Sequence, residues 1–465
     1  MFRCTKFLLT SLLVFIAAFA NAQQVNSLYF LENAPMRHTV NPAMQPVSRF
    51  YLTLPALGYT NVGLTSNGLT LDDLLSSKTG GKQLPYRHLQ AVAESQTKQS
   101  RMHRVNADAY VNILGFGFRV KERGYFHLNI AERVVGSFTL SPAALQLFQT
   151  QELADFDIPT VGSLSASAFT DFSLGYSHRI NHQWSVGGKL KLLVGHLYTD
   201  VAMDKMMFTH NSTSATMYSS GSWSATNLIV DLFTGQDVVV QNFKDVTRQF
   251  LPGIGAALDF GFTYRPIEEL EFSASVTDLG FLRWKNSQSG TISINETYNY
   301  SDYVDMGDLS SLDTAALIPS FGDMMNAMQI TTNSTSPITK ALNANLNVGV
   351  DVKFWEDRVG LGLHSSTRFR GGKVNEELTL GAFLRPANWI NLAATYSIIN
   401  GKWSTLGAAI GLATYDGIMF TLSADYIPLN KANYNPDMYY IPHKSQGLNL
   451  ALGMAIVVGT NKKKQ

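Results

Sequence analysis

Residues 346–354 read LNVGVDVKF and alternate strictly between two kinds of side chain. Every even-numbered position is apolar, whereas the odd-numbered positions are Asn347, Gly349, Asp351 and Lys353. Successive side chains of a β-strand point to opposite faces of the sheet. The stretch therefore predicts a strand with one apolar face and one polar face.

The same period-2 pattern recurs from residue 106 to residue 458. Three of the candidate strands, at 201–210, 214–223 and 289–300, are more polar than the others, so we expect about fourteen strands in the main sheet. The candidates are 106–119, 124–134, 166–180, 184–198, 201–210, 214–223, 252–265, 268–279, 289–300, 342–355, 358–369, 376–386, 389–399, 402–413, 417–427 and 446–458.

Two architectures accommodate such strands. A soluble sandwich or barrel turns the apolar face inward, whereas a membrane barrel turns it toward lipid. The strands run to about ten residues, the length that crosses hydrocarbon at a steep tilt. The polar face is also rich in Gly, Ala and Ser, which suits a crowded interior. We therefore predict an all-β, transmembrane antiparallel β-barrel of about 14 strands, with an N-terminal plug segment and a few short loop helices, at 142–155 and around 309–328.

Aromatic residues at the predicted strand ends favour the membrane interpretation, because their rings suit the lipid–water interface. They are Tyr176, Trp184, Tyr264, Trp284, Trp355, Trp389, Tyr396, Trp403, Tyr415 and Tyr426.

The N-terminus has the organisation of a secretory signal peptide over residues 1–22. Arg3 and Lys6 precede an apolar run, and Ala20-Asn21-Ala22 forms a small-residue cleavage site. No later stretch of about 18 apolar residues predicts a transmembrane helix. The single cysteine, Cys4, lies in the segment expected to be removed. We therefore expect an exported chain in the cell outer membrane, without disulfides.

Composition excludes other classes of protein. The 465 residues are 45% hydrophobic and 15% charged, with a formal net charge of +1. A disordered chain has lower hydrophobicity and higher net charge. A nucleic-acid-binding protein needs a concentrated positive field, so we expect no nucleic-acid partner.

Three short stretches resemble a known family: NSLYFL at residues 26–31, Asn41-Pro42-Ala43, and YLTLP at residues 51–55. They resemble the start of an uncharacterised Bacteroidota outer-membrane protein family, which is similar in turn to the long-chain fatty-acid transporter (FadL-like) β-barrels. The Ala22-Gln23 junction resembles signal cleavage sites of that phylum. The resemblance implies a plug or hatch over residues 23–50, with Asn41, Pro42 and Ala43 as its motif, followed by a barrel with long extracellular loops over residues 51–465.

Charged residues of both signs fall on the polar faces and are the candidates for lining the lumen. They would pair with one another or orient a ligand. The candidates are Asp171, Lys189, Lys191, Asp259, Glu271, Asp351, Lys353 and Asp425, and the polar faces also carry Arg179, Arg265, Glu377 and Arg385.

The sequence shows no nucleophile elbow, Walker loop or zinc-protease motif, so we expect no enzyme, no cofactor and no metal site. The first functional hypothesis is a plugged barrel that binds or transports small hydrophobic molecules. The alternative is a non-transporting scaffold that docks a protein partner at its loops, as FadL-like attachment barrels of type IX secretion do. Outer-membrane lipid and lipopolysaccharide are the expected surroundings in both cases.

Overall fold

The computed structural model describes residues 26–55, 57–66, 102–146, 155–234, 251–299, 328–399, 403–414, 417–427, 434–435, 438–442 and 447–459. The predicted signal peptide, the first residues of the predicted plug and the predicted helix around 309–328 lie outside the described residues.

Nearly all regular structure in the described chain is β-strand. The strands are β1 (Phe50–Thr53), β2 (Thr60–Ser66), β3 (His103–Val120), β4 (Gly124–Leu140), β5 (Phe156–Ile158), β6 (Gly162–Arg179), β7 (Trp184–His210), β8 (Ser214–Thr226), β9 (Gly253–Ile267), β10 (Leu270–Trp284), β11 (Ser287–Asn299), β12 (Gln329–Ser334), β13 (Ile338–Ala341), β14 (Asn345–Phe354), β15 (Val359–Arg370), β16 (Lys373–Ala387), β17 (Ile390–Ile399), β18 (Trp403–Ala413), β19 (Ile418–Ile427), β20 (Tyr434–Asn435), β21 (Met438–Pro442) and β22 (Gly447–Val458).

The main sheet closes on itself as a 14-strand antiparallel barrel, which confirms the predicted fold class. Its wall runs β3, β4, β6, β7, β9, β10, β14, β15, β16, β17, β18, β19 and β22, and each strand pairs with the next. The fourteenth wall strand consists of β1 and β2 together, which pair with β22 on one side and β3 on the other. Closure leaves no free edge in the wall, as a hydrocarbon environment requires.

The first wall strand is interrupted between β1 and β2. Thr53 opposes Ala455, and Thr60 opposes Leu452, so the extra residues of this strand bulge out of register. The backbone still pairs across the bulge: the carbonyl of Leu57 accepts from Met454 N at 2.7 Å, and that of Tyr59 accepts from Asn112 N at 2.8 Å. The sequence pattern missed this strand because it contains only short regular runs on either side of the bulge.

The apolar face of each wall strand points outward and the polar face points into the lumen. On β14, Val348, Val352 and Phe354 are exposed, whereas Asn347, Asp351 and Lys353 are buried. The same outward rows continue around the wall, with large apolar side chains that are 48–59% exposed: Leu190, Phe260, Leu361, Leu380, Leu422 and Leu452. This arrangement is that of a membrane-spanning barrel, since the apolar surface faces lipid.

The three more polar candidates form an outer sheet that extends beyond the wall. β7 is one strand of 27 residues, so the prediction of a separate strand at 201–210 was wrong. Its first half pairs with β9, up to Gly195 opposite Gly253, and its second half pairs with β8. β8 pairs with β11, and β11 pairs with β12.

Two of the predicted interfacial aromatics lie inside the protein instead. Tyr426 is fully buried and Trp284 is 3% exposed, whereas Tyr176, Trp184 and Trp389 are exposed as expected. Tyr426 has φ +66°, and this local irregularity turns it inward together with its neighbour Asp425. A break in the ladder of this kind shifts the alternation by one residue. The predicted Tyr415 lies outside the described residues.

Helices are few in the described chain. Two short α-helices, α1 (Pro142–Gln146) and α2 (Asn227–Thr234), follow wall or outer strands, and two 3-10 turns lie at Asn26–Phe30 and Pro35–Thr39. None of the helices in the described part of the chain has the length and hydropathy needed to cross a membrane.

The outward apolar rows predict a position-dependent cost of charge. Leu190→Arg, at a 59% exposed site in the wall, should lower the free energy of unfolding in lipid vesicles by about 2–4 kcal/mol. Ile330→Arg is the matched control, because Ile330 is 58% exposed but lies on β12 of the outer sheet. Urea titrations in vesicles measure both, and equal costs would contradict a lipid-facing Leu190.

Candidate functional site in the barrel lumen

The N-terminal residues 26–48, called here the lumen segment, lie inside the barrel. Residues 26–31 are each at most 1% exposed. At its start, the backbone N–H of Ser27 donates to Asp425 on β19. Further along, the carbonyl of Val40 accepts from Ser275 on β10 at 2.7 Å. β19 and β10 lie on opposite sides of the ring of wall strands, so the lumen segment crosses the lumen.

The buried side chain of Tyr29 makes several contacts with the barrel wall. Its hydroxyl donates to Asp351 at 2.7 Å and lies 2.9 Å from Ser273 Oγ. Its ring stacks on His364 with centroids 4.4 Å apart. Burial and the nearby Asp351 carboxylate hold the pKa of Tyr29 well above its usual value, so the phenol remains a hydrogen-bond donor.

Glycines of the wall leave the room that the two aromatic rings need. A Cβ at Gly349 would lie 2.2 Å from the Tyr29 hydroxyl, and one at Gly381 would lie 2.4 Å from the Phe30 ring. Any side chain at these positions would clash with the lumen segment. On this side of the barrel, the polar face therefore needs small residues to leave room for the lumen segment.

The Asn41-Pro42-Ala43 motif forms a turn that fits against β7, β9 and β10. Asn41 Oδ1 accepts from Ala43 N at 2.9 Å, which closes the turn, and its Nδ2 donates to the carbonyls of Phe262 and Ala274, each at 3.2 Å. The wall residue next to this turn is again a glycine, Gly187. A Cβ at this position would lie 2.3 Å from the Pro42 carbonyl oxygen. The motif is thus a docking turn on the wall.

Ion pairs join the lumen segment to the wall through Glu32. Its carboxylate pairs with Lys353 on β14 and with Arg385 on β16. Lys353 also pairs with Glu271 at 3.1 Å. Burial opposes ionisation of Glu32, but the positive charges of Lys353 and Arg385 outweigh it and lower the pKa of Glu32 to about 2.

His38 lies in an apolar and cationic setting. Its Nε2 is 3.0 Å from the Tyr51 hydroxyl, its ring stacks on His127 at 4.3 Å, and its carbonyl accepts from Lys189 Nζ at 2.7 Å. Burial, followed by the positive charge of Lys189, holds the pKa of His38 well below its usual value. His38 is therefore neutral, and it packs as a ring.

Comparison with known proteins adds a family. A model of the DUF5723 family, a family of unknown function, matches residues 42–425. The chain belongs to the DUF5723 family. No curated protein sequence matches it.

Several solved barrel structures are similar to the DUF5723 chain. The toluene transporter TbuX of Ralstonia pickettii has a TM-score of 0.46 at 8% identity and covers 96% of this chain and 98% of its own. The toluene transporter TodX of Pseudomonas putida has a TM-score of 0.41 at 9% identity, covering 94% and 95%. A FadL homologue of Pseudomonas aeruginosa has a TM-score of 0.42 at 11% identity, covering 95% and 100%. The Bacteroidota origin remains a prediction.

The structure places every charged residue predicted to line the lumen on the buried side of the wall. None of the eight is more than 8% exposed: Asp171, Lys189, Lys191, Asp259, Glu271, Asp351, Lys353 and Asp425. Glu271 and Lys353 belong to the Glu32 network. Asp351 binds Tyr29, Asp425 binds Ser27, and Lys189 binds the His38 carbonyl.

The remaining predicted residues form a second ion network. Lys191 pairs with Asp259 at 2.8 Å and with Asp278 at 2.6 Å. Arg133 reaches Asp278 through two hydrogen bonds of 2.8 and 2.9 Å and lies 3.6 Å from Asp171. This network joins β4, β6, β7, β9 and β10 across the lumen surface.

Three members of these networks were absent from the predicted polar-face charges: Glu32, Arg133 and Asp278. Asp278 would face outward in strict alternation with Phe272 and Val276. A register shift between Val276 and Leu279 turns it inward, with φ +60°. Glu32 lies outside the strands, where period 2 has no meaning.

The inner wall on β16–β19 and β22 carries a set of apolar side chains, called here the apolar sector, which lies among buried polar residues such as Asn391 and Ser397. The lumen segment covers this sector with Leu28, Phe30 and Leu31. The wall residues of these strands that belong to the same buried apolar cluster are Phe383, Ala393, Ala409, Met419, Ala451, Ala455 and Val457. A small open pocket lies where β2 ends and β3 begins, and polar side chains, including Arg104, Arg368 and Glu377, line most of it.

The lowered pKa of Glu32 predicts how the lumen segment responds to acid. A carboxylate with a depressed pKa stabilises the fold above its ordinary pKa of 4.5, and this stabilisation, about 3 kcal/mol, is lost as pH falls through about 2. Pepsin should therefore spare residues 28–31 at pH 4 and cleave them as pH approaches 2. Glu32→Gln should already be cleaved at pH 4.

Peptide mass spectrometry measures that cleavage. Glu268→Gln, at an exposed turn between β9 and β10, is the control and should behave as the unmodified chain. The same cleavage profile in Glu32→Gln and Glu268→Gln would show that Glu32 does not hold the segment.

Proposed function

We propose that this DUF5723 chain is an outer-membrane barrel, closed by its own lumen segment, that binds or transports small hydrophobic molecules. The observation that carries the proposal is the apolar sector of the inner wall, which the lumen segment covers with Leu28, Phe30 and Leu31. The outward apolar rows and the predicted signal peptide support the location. Lipid and lipopolysaccharide are the partners that such a surface requires.

Closure of the lumen follows from the contacts of the segment with opposite walls. Its start binds β19 through Ser27, and its Asn41-Pro42-Ala43 turn binds β9 and β10. The neutral hydrogen bonds among these attachments are each replaceable by water at modest net cost, whereas the buried ion pairs of Glu32 are costlier to break. A segment held in this way can leave the wall without unfolding the barrel.

We infer a hydrophobic cargo from the wall surface that the lumen segment would expose on leaving. Departure of Leu28, Phe30 and Leu31 exposes an apolar strip of Ala, Met and Phe side chains inside an otherwise polar lumen. A small apolar molecule regains the burial that the segment gives up, since the hydrophobic contribution depends on area and not on the identity of the group. The proposed activity involves no covalent step, so the chain would act as a non-enzymatic carrier or receptor.

A second candidate is a scaffold that docks a protein partner. The outer sheet formed by β8, β11, β12 and the second half of β7 extends beyond the wall and favours this alternative. Passage of solute after removal of the lumen segment would favour transport, and an impermeable barrel would favour the scaffold.

Deletion of residues 26–48 should raise the permeability of liposomes that contain the barrel, because β1 begins only at Phe50 and the wall stays complete. Gly187→Val should raise it as well, since a Cβ at Gly187 would meet the Pro42 carbonyl at 2.3 Å. Gly188→Val is the matched control, because its Cβ has only ordinary contacts, the nearest at 3.6 Å. Liposome swelling in small sugars measures permeation.

Heat-modifiable migration in gels shows that each variant is folded. Rapid passage of sugars through the unmodified barrel would contradict closure by the segment, and so would unchanged permeability after the deletion.

The apolar sector predicts where a hydrophobic probe binds. In the barrel without residues 26–48, N-phenyl-1-naphthylamine should bind and fluoresce. Ala409→Asp places a charge in the sector and should weaken binding at least about tenfold. Asn129→Asp, on the polar inner face of β4, is the control and should leave the affinity unchanged. Absence of probe binding to a folded deletion variant would refute hydrophobic cargo.

A further inference from the structure

The side chain of Tyr29 fills a slot in the inner wall. Four neighbouring strands, β10, β14, β15 and β16, build this slot from two adjacent rows of inward-facing residues. The residues of the Tyr29 slot, as it is called here, are Ser273, Gly349 and His364 in one row and Asp351, Gly362 and Gly381 in the other. A site on paired strands holds its geometry better than a site on loops, so the slot should keep its shape when its occupant changes.

The shape of the slot fits a flat ring. A Cβ at Gly349 would lie 2.2 Å from the Tyr29 hydroxyl oxygen and 2.7 Å from Cζ, so the slot depends on the missing side chain there. The imidazole of His364 stacks on the Tyr29 ring, with an angle of 19° between the two planes. The other ring contacts, with Phe30 at 4.9 Å and with the Arg37 guanidinium at 5.8 Å, come from the lumen segment itself. Stacking against a wall without bulk favours an aromatic occupant.

The polar end of the slot consists of a carboxylate and a hydroxyl. The Tyr29 hydroxyl donates to Asp351 Oδ2 at 2.7 Å and lies 2.9 Å from Ser273 Oγ. Asp351 is 3% exposed and Ser273 is 4% exposed, so water reaches neither freely. A buried carboxylate that loses its donor is left desolvated and unpaired, which is costly. An occupant without a hydroxyl would impose this cost, and the slot therefore selects an aromatic ring that carries one.

Tyr29 uses only part of the hydrogen-bonding capacity of the slot. Asp351 Oδ1 and both ring nitrogens of His364 are buried without a hydrogen-bond partner among the described residues. A Cβ at Gly362 would lie 2.0 Å from Asp351 Oδ1, so this oxygen turns toward the space above the glycine. Buried polar atoms of this kind normally have partners. A ligand with polar groups that Tyr29 lacks would supply them.

The slot continues into the apolar sector along β16. Gly381 of the slot and Phe383 of the sector are two residues apart on this strand and share its inner face. Phe30 spans the two, because a Cβ at Gly381 would lie 2.4 Å from its ring and Phe30 and Phe383 belong to one buried cluster. A molecule with its aromatic hydroxyl in the slot would therefore place an apolar body over the sector.

We propose that the Tyr29 slot is a binding site for a small phenol, with Asp351 and Ser273 as the groups that recognise the hydroxyl. Tyr29 is then the chain's own occupant of the site, and a phenol that replaces it releases the start of the lumen segment. The inference rests on the proposed function, because it names the class of hydrophobic molecule for which the segment makes way. A tethered group competes at an effective concentration of at least about 1 mM, so release needs phenol at millimolar concentrations or above.

Calorimetric titration of the full-length Tyr29→Gly variant tests the slot by itself, because this variant vacates the slot and keeps the other attachments of the lumen segment. p-Cresol should bind at least about a hundredfold more tightly than toluene, which has the same ring and methyl group without the hydroxyl. Titration of the unmodified chain below millimolar concentrations gives the background from partition into detergent.

A second substitution in the Tyr29→Gly chain identifies the recognising groups. Ser273→Ala should weaken p-cresol binding about tenfold and leave toluene binding unchanged. Ser173→Ala is the matched control, because Ser173 is also a buried serine of the inner face but lies on β6. Equal affinities for p-cresol and toluene, or equal effects of Ser273→Ala and Ser173→Ala, would overturn the slot as a phenol site.

Limited proteolysis of the unmodified chain tests release. Thermolysin at pH 7 should cleave residues 28–31 faster in millimolar p-cresol than in toluene at the same concentration. Tyr29→Phe, which lacks the hydroxyl, should be released at a lower p-cresol concentration than the unmodified chain. Equal cleavage in p-cresol and toluene, or no increase in either, would refute displacement of Tyr29 by a phenol.

The liposome experiment separates failure of this inference from failure of the proposed function. If deletion of residues 26–48 left permeability unchanged, closure by the segment would be refuted, and p-cresol binding to Tyr29→Gly would still stand. If the deletion raised permeability and p-cresol bound no better than toluene, the barrel would carry a hydrophobic molecule of another class.

Discussion

Hydrogen bonding of the backbone within hydrocarbon is the constraint on which the rest of this structure depends. A peptide group facing lipid has no water to bond, so every wall strand needs a partner on both sides. The interrupted first strand shows the strength of this requirement. Its two halves remain paired with β3 and β22, and carbonyls between them still accept from Asn112 and Met454. The wall closes even where one strand is locally irregular.

Closure turns one face of every strand inward, and the chain fills that space with polar groups, many of which bond to one another. Glu32 from the lumen segment completes an ion network that starts on the wall with Glu271 and Lys353. Removing the segment would leave Lys353 and Arg385 without this carboxylate. The lumen segment and the wall are thus electrostatically complementary, in addition to fitting sterically at the wall glycines.

The polarity of the lumen surface varies around the barrel, and this variation is the basis of the proposed function. One sector holds the apolar cluster that includes Leu28, Phe30 and Leu31 among polar side chains, whereas the opposite sector carries Lys189, Lys191 and Asp259. An evenly polar lumen would suit water and ions. A divided one suits a molecule with an apolar body, and it also suits a segment of the chain with the same division of character.

Strict alternation was a good guide to the wall and a poor one to its irregular points. Asp351 and Lys353 could be assigned to the lumen because β14 has no bulge. Asp278 and Tyr426 could not be assigned to the lumen. Each lies at a shift of register and has a positive φ, which its residue type does not predict. The polarity of the outer strands set them apart from the wall, but the prediction divided β7 into two strands because it continues beyond Gly195 as one strand.

The sequence by itself determined the strand-rich fold, the two faces of each strand and the sidedness of the charges, because these follow from period 2 and from the chemistry of single residues. Only the tertiary structure decided which charges meet and where the chain enters its own lumen. Those features join residues hundreds of positions apart, such as Ser27 and Asp425, and no local pattern encodes a contact made by closing the ring.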